Sequence, residues 1–196
     1  MTHAAHKAEL RHQLLAWRQA QDDQPSELAS TAAVKHLVSH PQFKQSGAVG
    51  AYCSVRGELD TSALLQAVWV GGKVLYLPML MGAEKVMRFG RHEVGQSLAH
   101  GRYGIPQPAD DVPQTVGLLG IDLLVLPLVG FDALGGRLGY GGGYYDQTLA
   151  NSRQRPFLLG LAFEGQRVEK LPQEPHDIAL DAVVTECGWY SFDAAE

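Results

Sequence analysis

The sequence has little of what marks a secreted, membrane-spanning or DNA-binding protein. Of its 196 residues only two are cysteines, Cys53 and Cys187, and neither has a partner at CxxC spacing. A disulfide framework normally uses more cysteines, so we expect two free thiols. The longest hydrophobic run, residues 123–131, is interrupted by Pro127 and falls far short of the roughly 20 residues of a membrane span. We therefore expect a cytoplasmic protein with no membrane partner.

A cationic tract is also missing. Lys and Arg number 16 against 21 Asp and Glu, for a formal net charge of −5, which is not the balance of a duplex nucleic-acid binder. Residues 1–21 mix charges and lack the apolar centre of a signal peptide. We expect small-molecule substrates, no nucleic-acid partner and a monomer. Any anionic ligand then requires a local basic pocket.

Hydrophobic periodicity predicts helices over residues 3–20, 25–40 and 61–71, the last with Thr61 as its N-cap. Residues 79–120 are rich in Gly and Pro and are predicted to be loops around a short strand near 86–89. Continuous apolar runs without alternation are typical of strands buried on both faces, and they occur at 48–55, 74–77, 121–126, 157–163 and 182–185. The predicted fold is one α/β domain over residues 1–196, a mostly parallel sheet with helices on both faces.

The strongest chemical signal is a glycine-rich segment after the run at 121–126. Residues 126–146, LPLVGFDALGGRLGYGGGYYD, hold seven glycines before a predicted helix near Tyr144. Glycine permits positive φ, and successive amide N–H groups at the start of a helix can bind an anion. The segment matches neither a Walker A motif nor GxGxxG, and the chain has no GxSxG nucleophile motif. It predicts a phosphate-binding loop of another type, the alternative being a flexible turn.

Residues 136–146, GRLGYGGGYYD, closely resemble the signature of the 5-formyltetrahydrofolate cyclo-ligase family. Further segments resemble that family in the same order along nearly the whole chain: Lys7 with Arg11, residues 52–61, 72–78, 104–105 and 176–186. The resemblance implies a fold like that of sugar isomerases and CoA transferases. It also implies a ligase of one-carbon metabolism that converts 5-formyltetrahydrofolate and ATP to 5,10-methenyltetrahydrofolate, ADP and phosphate with Mg²⁺.

The resemblance also assigns roles to single residues. Lys7 and Arg11 would contact the ATP phosphates, Cys53 and Glu58 the folate, and Asp146 and Asp181 the Mg²⁺ ion. Arg137 and Asp146 would be catalytic. The loop around the nucleotide would comprise Arg137, Leu138, Gly139, Tyr140, Gly141, Gly142, Gly143, Tyr144 and Tyr145, of which Tyr140, Gly141, Gly142, Gly143 and Tyr144 would also line the folate pocket.

Each assignment has a structural alternative. Lys7 and Arg11 share a helical face that suits a polyphosphate, but such a pair also occurs on solvated basic faces. Asp146 could instead stabilise a helix N-terminus, and Asp181 and Glu58 could be carboxylates of surface turns.

The chain departs from the family at Met79, where relatives often have a basic residue, and at Gln107, where many have Glu. Lys85, Arg88 and Arg102 are the candidates to bind the folate tail instead. Two other functions remain open, a non-catalytic nucleotide-binding module and a phosphoryl-transfer enzyme acting on another carbonyl substrate.

Overall fold

The computed structural model describes residues 2–80, 85–109, 114–152 and 154–192. The helices are α1 (His3–Gln19), α2 (Asp23–Ser39), α3 (Pro41–Gln45), α4 (Ser62–Val70) and α5 (Tyr144–Ala150). The strands are β1 (Ala48–Gly50), β2 (Val74–Met79), β3 (Arg88–Arg91), β4 (Ala99–His100), β5 (Pro106–Gln107), β6 (Thr115–Val116), β7 (Leu123–Pro127), β8 (Gly130–Phe131), β9 (Arg137–Leu138), β10 (Phe157–Leu161), β11 (Ala182–Thr185) and β12 (Gly188–Ser191).

Eight strands form one sheet in the order β12-β11-β10-β7-β1-β2-β3-β6. The five strands from β11 to β2 are parallel, and antiparallel strands extend the sheet at both edges. Strand β1, helix α4 and strand β2 form the crossover unit predicted from the sequence. Among the described residues, no helix combines the length and the apolar composition that crossing a bilayer requires.

Burial on both faces explains the apolar runs. In β7, Leu123 and Val125 belong to one hydrophobic cluster, while Leu124 and Leu126 belong to another, and all four are fully buried. Residues of α2 and α4 cover the first face, and α5 covers the second through Leu149. The predicted fold class, a mostly parallel sheet with helices on both faces, is confirmed.

Several predicted boundaries differ from those of the structure. The run at 48–55 is a strand only over Ala48–Gly50, because the chain then leaves the sheet. The short strand expected near 86–89 is β3, and the region 79–120 contains further two-residue strands that the sequence did not predict. Helix α3 and the antiparallel strand β12 were also not predicted.

Thr61 precedes helix α4 as expected, but its side chain does not cap the helix. The Thr61 hydroxyl donates to the Tyr52 carbonyl at 2.8 Å and accepts from the Ser54 amide at 3.0 Å. Asp60 takes over the capping role and accepts the Ser62 amide at 3.0 Å. Thr61 therefore fixes the stretch that follows β1, which lines the site described next.

Candidate active site

A cavity of about 670 Å³ opens where the order of the strands reverses. From β1 the chain continues to β2 on one side, and β7, β10 and β11 follow on the other side. In open α/β sheets ligands bind at this switch point, at the carboxyl ends of the strands. Tyr52 after β1, Pro78 in β2 and Pro127 at the end of β7 line the cavity, so its position follows from the sheet topology.

The glycine loop forms one wall of this cavity. Gly141 and Gly143 have φ values of 91° and 71°, a conformation that favours glycine. Gly143 ends the loop, and α5 begins at Tyr144 as predicted. Arg11 from α1 reaches the loop and donates from Nε to the Gly139 carbonyl at 2.8 Å. Burial lowers the pKa of Arg11, and its guanidinium faces Gly141 across the cavity wall.

Lys7, one turn before Arg11, meets two carboxylates from the far end of the chain. Its Nζ contacts Glu174 Oε2 at 2.8 Å and Asp177 Oδ2 at 2.5 Å. Burial opposes the ammonium charge, but the hydrogen bonds and charges of Asp177 and Glu174 outweigh it and raise the pKa of Lys7. His176 joins these carboxylates in a group that could hold a cation. Nothing in the sequence pattern pairs these acids with Lys7.

Arg137 and Asp146 form an ion pair beneath the loop. Arg137 Nη2 donates to Asp146 Oδ1 at 2.7 Å, and the Arg137 side chain is only 5% exposed. Its Nε is buried and has no hydrogen-bond partner among the described residues. The Asp146 side chain is 24% exposed and lines the cavity. The structure thus joins the two residues predicted to be catalytic.

Asp132 anchors the hairpin that carries Arg137. It is fully buried, and its carboxylate accepts backbone amides from Leu134 at 3.0 Å, Gly136 at 2.8 Å and Leu171 at 2.9 Å. The last contact ties the hairpin to the segment that leads to Glu174. Asp132 therefore positions two parts of the cavity wall, a role that the sequence did not indicate.

Glu58 lines the cavity from a tight turn. Arg56 and Gly57 both have positive φ, 55° and 72°, and the Glu58 amide closes the turn onto the Val55 carbonyl at 3.1 Å, as in hairpin-type turns. The Glu58 carboxylate accepts the Val55 amide at 2.8 Å and a hydrogen bond from the Tyr140 hydroxyl. Burial raises the pKa of Glu58, and Tyr140 partly offsets this.

Part of the cavity wall is apolar. Leu80, Met87 and Ile105 line it together with Cys53. Burial raises the pKa of the Cys53 thiol, so Cys53 contributes a neutral surface. An apolar wall with one inward carboxylate suits a flat heterocycle that carries N–H groups.

The mouth of the cavity carries a cation and two tyrosines. Tyr103 has a φ of 63°, is 60% exposed, and its hydroxyl lies 3.2 Å from that of Tyr144. Arg102 donates to the Tyr144 hydroxyl at 3.4 Å. Among the candidates for the folate tail, Arg102 lines the cavity, whereas Lys85 and Arg88 do not.

One predicted site residue lies elsewhere. Asp181 precedes β11, at the amino end of the parallel strands and therefore at the edge of the sheet opposite the cavity. Arg155 binds its two oxygens at 2.5 and 2.7 Å, and the Leu158 amide donates to it at 2.7 Å. The structure does not bring Asp181 together with Asp146. Of the two departures from the family, Met79 is fully buried and Gln107 lines the cavity.

The other predicted site residues share the cavity wall. These are Lys7, Arg11, Cys53, Glu58 and the whole segment 137–146. Arg56, Glu174 and Asp177 line the cavity as well, and sequence reasoning gave none of them a role.

Comparisons with known proteins show the family of the chain. The sequence model of the 5-formyltetrahydrofolate cyclo-ligase family matches residues 3–186. The chain is 39% identical to 5-formyltetrahydrofolate cyclo-ligase of Escherichia coli (strain K12) over 166 residues, 83% of this chain and 90% of the relative. It is 36% identical to the Haemophilus influenzae enzyme of that name, with 78% and 82% covered.

Solved structures show the same relationship. The NMR structure of Aquifex aeolicus 5,10-methenyltetrahydrofolate synthetase superposes with a TM-score of 0.85 at 32% identity, covering 97% of this chain and 94% of that one. A Mycoplasma pneumoniae 5,10-methenyltetrahydrofolate synthetase, at 22% identity and a TM-score of 0.73, shares the fold over 92% of this chain and 98% of that one. The chain therefore belongs to the 5-formyltetrahydrofolate cyclo-ligase family of enzymes.

Proposed function

We propose that this protein converts 5-formyltetrahydrofolate and ATP to 5,10-methenyltetrahydrofolate, ADP and phosphate, with Mg²⁺ as cofactor. The observation that carries the proposal is one cavity lined by two chemically different sets of residues. We call Lys7, Arg11 and Arg137 beside the glycine loop its cationic end, and the apolar wall with Glu58 its other end. The names of the relatives agree with a folate substrate.

The cationic end suits the triphosphate. Lys7 and Arg11 lie one helical turn apart and both line the cavity, which lets two cations bind one polyphosphate. The loop brings backbone N–H groups close to a ligand because its glycines have no side chains. Arg137, deeper in the wall, supplies the fixed charge that a transferring phosphoryl group needs.

The other end suits the pterin and the formyl group. The Glu58 carboxylate can accept N–H groups of the pterin, and the wall beside Cys53 and Met87 excludes water. Arg102 at the mouth is the cation we assign to the carboxylates of the glutamate tail, since Tyr103 beside it offers a surface for the linking ring.

The residues around Asp146 fit a Mg²⁺ ion. Mg²⁺ is usually held by one or two carboxylates together with substrate phosphates and waters. Asp146 uses Oδ1 for Arg137, and its side chain is partly exposed beside the loop. We propose Asp146 as the protein ligand. Asp181 is left out because Arg155 and a backbone amide occupy its oxygens. When bound, the ion neutralises charge on the phosphate oxygens.

The proposed reaction needs no enzyme nucleophile. The formyl oxygen attacks the γ-phosphorus, ADP leaves, and the formyl carbon becomes electrophilic. The second folate nitrogen attacks that carbon, and loss of phosphate and of the nitrogen-bound proton completes the five-membered ring. The protein aligns the two substrates, and Arg137, Lys7 and the loop amides stabilise the charge on the phosphoryl oxygens.

Product formation followed by methenyltetrahydrofolate absorbance tests the proposal. Purified protein with 5-formyltetrahydrofolate, ATP and Mg²⁺ should give one ADP per product, and a non-hydrolysable ATP analogue should give none. ATP binding without turnover would instead support the nucleotide-binding module. ADP release that requires a different carbonyl compound would identify the alternative phosphoryl-transfer enzyme.

A further inference from the structure

Arg18, in the last turn of α1, is a buried cation outside the cavity wall. It is only 2% exposed. Its Nη1 donates to the Leu128 carbonyl at 3.3 Å, and its Nη2 lies 2.5 Å from the Tyr140 hydroxyl. No carboxylate forms an ion pair with it among the described residues. Burying a guanidinium costs free energy unless hydrogen bonds or an ion pair compensate for its lost hydration.

The contacts of Arg18 set the direction of a hydrogen-bond chain. A guanidinium can only donate, so the Tyr140 oxygen accepts from Arg18 and its single proton points to Glu58. The second Glu58 oxygen accepts the Val55 amide. Glu58 is thus the acceptor at the end of the chain, with its remaining lone pairs available to the cavity.

We infer that Arg18 is a positioning residue, which acts through Tyr140 to hold Glu58 as a hydrogen-bond acceptor for the N–H groups of the substrate's heterocycle. The identity of that heterocycle rests on the proposed function. Without Arg18 the Tyr140 hydroxyl could turn around and accept a proton from a neutral Glu58, and the cavity would then present a donor to the pterin.

The electrostatics around Glu58 agree with this role. Burial raises its pKa, whereas Tyr140, the Val55 amide, Arg18 and Arg56 lower it. The other groups that face it are Tyr52 and Tyr145, whose pKa values are raised by burial so that both are neutral. Loss of Arg18 should therefore protonate Glu58 at a higher pH than in the wild type.

The test compares Arg18→Met with a matched control. Gln166 is also 2% exposed and donates to the same Leu128 carbonyl, at 3.1 Å, but has no hydrogen bond to Tyr140. Gln166 also donates to the Val129 carbonyl and accepts from the Phe163 amide, so Gln166→Met should lower stability at least as much as loss of the Leu128 bond does, while it leaves the Tyr140 chain intact. Arg18→Lys keeps the charge and a donor. For each variant we would measure KM for both substrates, kcat, the pH profile of kcat/KM for folate, and the melting temperature.

We expect Arg18→Met to raise the folate KM about 10- to 100-fold, the effect of losing a charge-assisted hydrogen bond, with ATP KM nearly unchanged. The acid limb of its pH profile of kcat/KM for folate should move to higher pH. Arg18→Lys should restore most of the lost folate affinity. Gln166→Met should lower the melting temperature without either change. If Arg18→Met does not fold, Tyr140→Phe breaks the same chain and should give the same pH shift.

An unchanged folate KM and acid limb in Arg18→Met, or in Tyr140→Phe, would overturn the inference. So would an equal effect of Gln166→Met on the folate KM. These results require an active wild type, whereas a wild type that makes no methenyltetrahydrofolate would refute the proposed function itself.

Discussion

Replacement of Asp146 by Asn distinguishes between two roles of this residue, a metal ligand and a structural counter-ion. Asn keeps the size of the side chain and would cap a helix about as well, so the sequence alone predicts little loss of stability. The structure predicts more, because Arg137 is almost fully buried against Asp146. The ligand-free protein should therefore be destabilised, and the rate should also depend differently on Mg²⁺.

The contacts set the size of both effects. A hydrogen bond to a charged group contributes roughly 1.5–3 kcal/mol, and the Asn oxygen can still accept from Arg137. We expect a loss of about 1–2 kcal/mol in the free energy of unfolding, or a melting temperature lower by roughly 2–8 °C at this chain length. Loss of a Mg²⁺ ligand should weaken the apparent metal affinity by about 10- to 100-fold.

Asp181→Asn is the matched control. It removes one carboxylate charge from an ion pair with Arg155, whose side chain is 42% exposed, and surface pairs contribute only about 0–1 kcal/mol. The assay is a Mg²⁺ titration of product formation for wild type and both variants, with thermal melts in parallel. An unshifted Mg²⁺ midpoint in Asp146→Asn would refute the metal assignment. An equal shift in Asp181→Asn would show that Mg²⁺ is bound elsewhere than the cavity geometry indicates.

Four further predictions concern the rest of the cavity. Lys7→Met should raise KM for ATP far more than KM for folate, and equal changes would make Lys7 merely structural. The hydrogen bond and charge of Lys7 lower the pKa of Glu174. The stability that this pair contributes is therefore present above the ordinary Glu pKa and is lost as the pH falls through the lowered pKa. In thermal melts at decreasing pH, Glu174→Gln should make this loss of stability smaller. Arg102→Gln should reduce the preference for substrates with longer glutamate tails, and an unaltered preference excludes Arg102 as the tail site. Cys53 should be protected from alkylation by 5-formyltetrahydrofolate while exposed Cys187 is not, and equal labelling with and without folate would place the pterin elsewhere.

The fold was predictable because burial determines composition. Strands with neighbours on both faces need apolar residues at every position, and such strands produce the runs found in β7, β10 and β11. The outer antiparallel strands gave no such signal. Strand β12 is only partly buried along most of its length, and β6 has two residues, so neither shows a pattern that distinguishes it from a loop.

The cavity was predicted in part, for a different reason. Local sequence identifies residues that share a loop or a helical turn, so it indicated the glycine segment and showed that Lys7 and Arg11 share a helical face, whereas their role came from the family resemblance. Neither local sequence nor the resemblance shows which edge of the sheet a residue occupies, and the resemblance grouped Asp181 with Asp146 although the length of the strands separates them. Glu174 lies 167 residues from Lys7, and its contact depends on the complete chain path.

The spacing of three cations in helix α1 places them on one face of the helix. At 3.6 residues per turn, Lys7, Arg11 and Arg18 fall within about 40° of one another around the helix. At 1.5 Å per residue, the stripe from Lys7 to Arg18 is about 16 Å long. Lys7 and Arg11 line the cavity at the proposed phosphate site, and Arg18 donates to Tyr140, which bonds the proposed folate residue Glu58.

Two adjacent residues of the glycine loop contact this stripe of cations. Gly139 accepts from Arg11, whereas Tyr140 beside it bonds Arg18 and Glu58. Under the proposed function these adjacent loop residues serve different substrates, and helix α1 fixes the separation between their partners Arg11 and Arg18. A change in the direction of α1 would move the phosphate cations and the Glu58 network together. In the proposed reaction, the alignment of the formyl oxygen with the γ-phosphorus therefore depends on how α1 packs through Leu10 and Leu14 against Leu138.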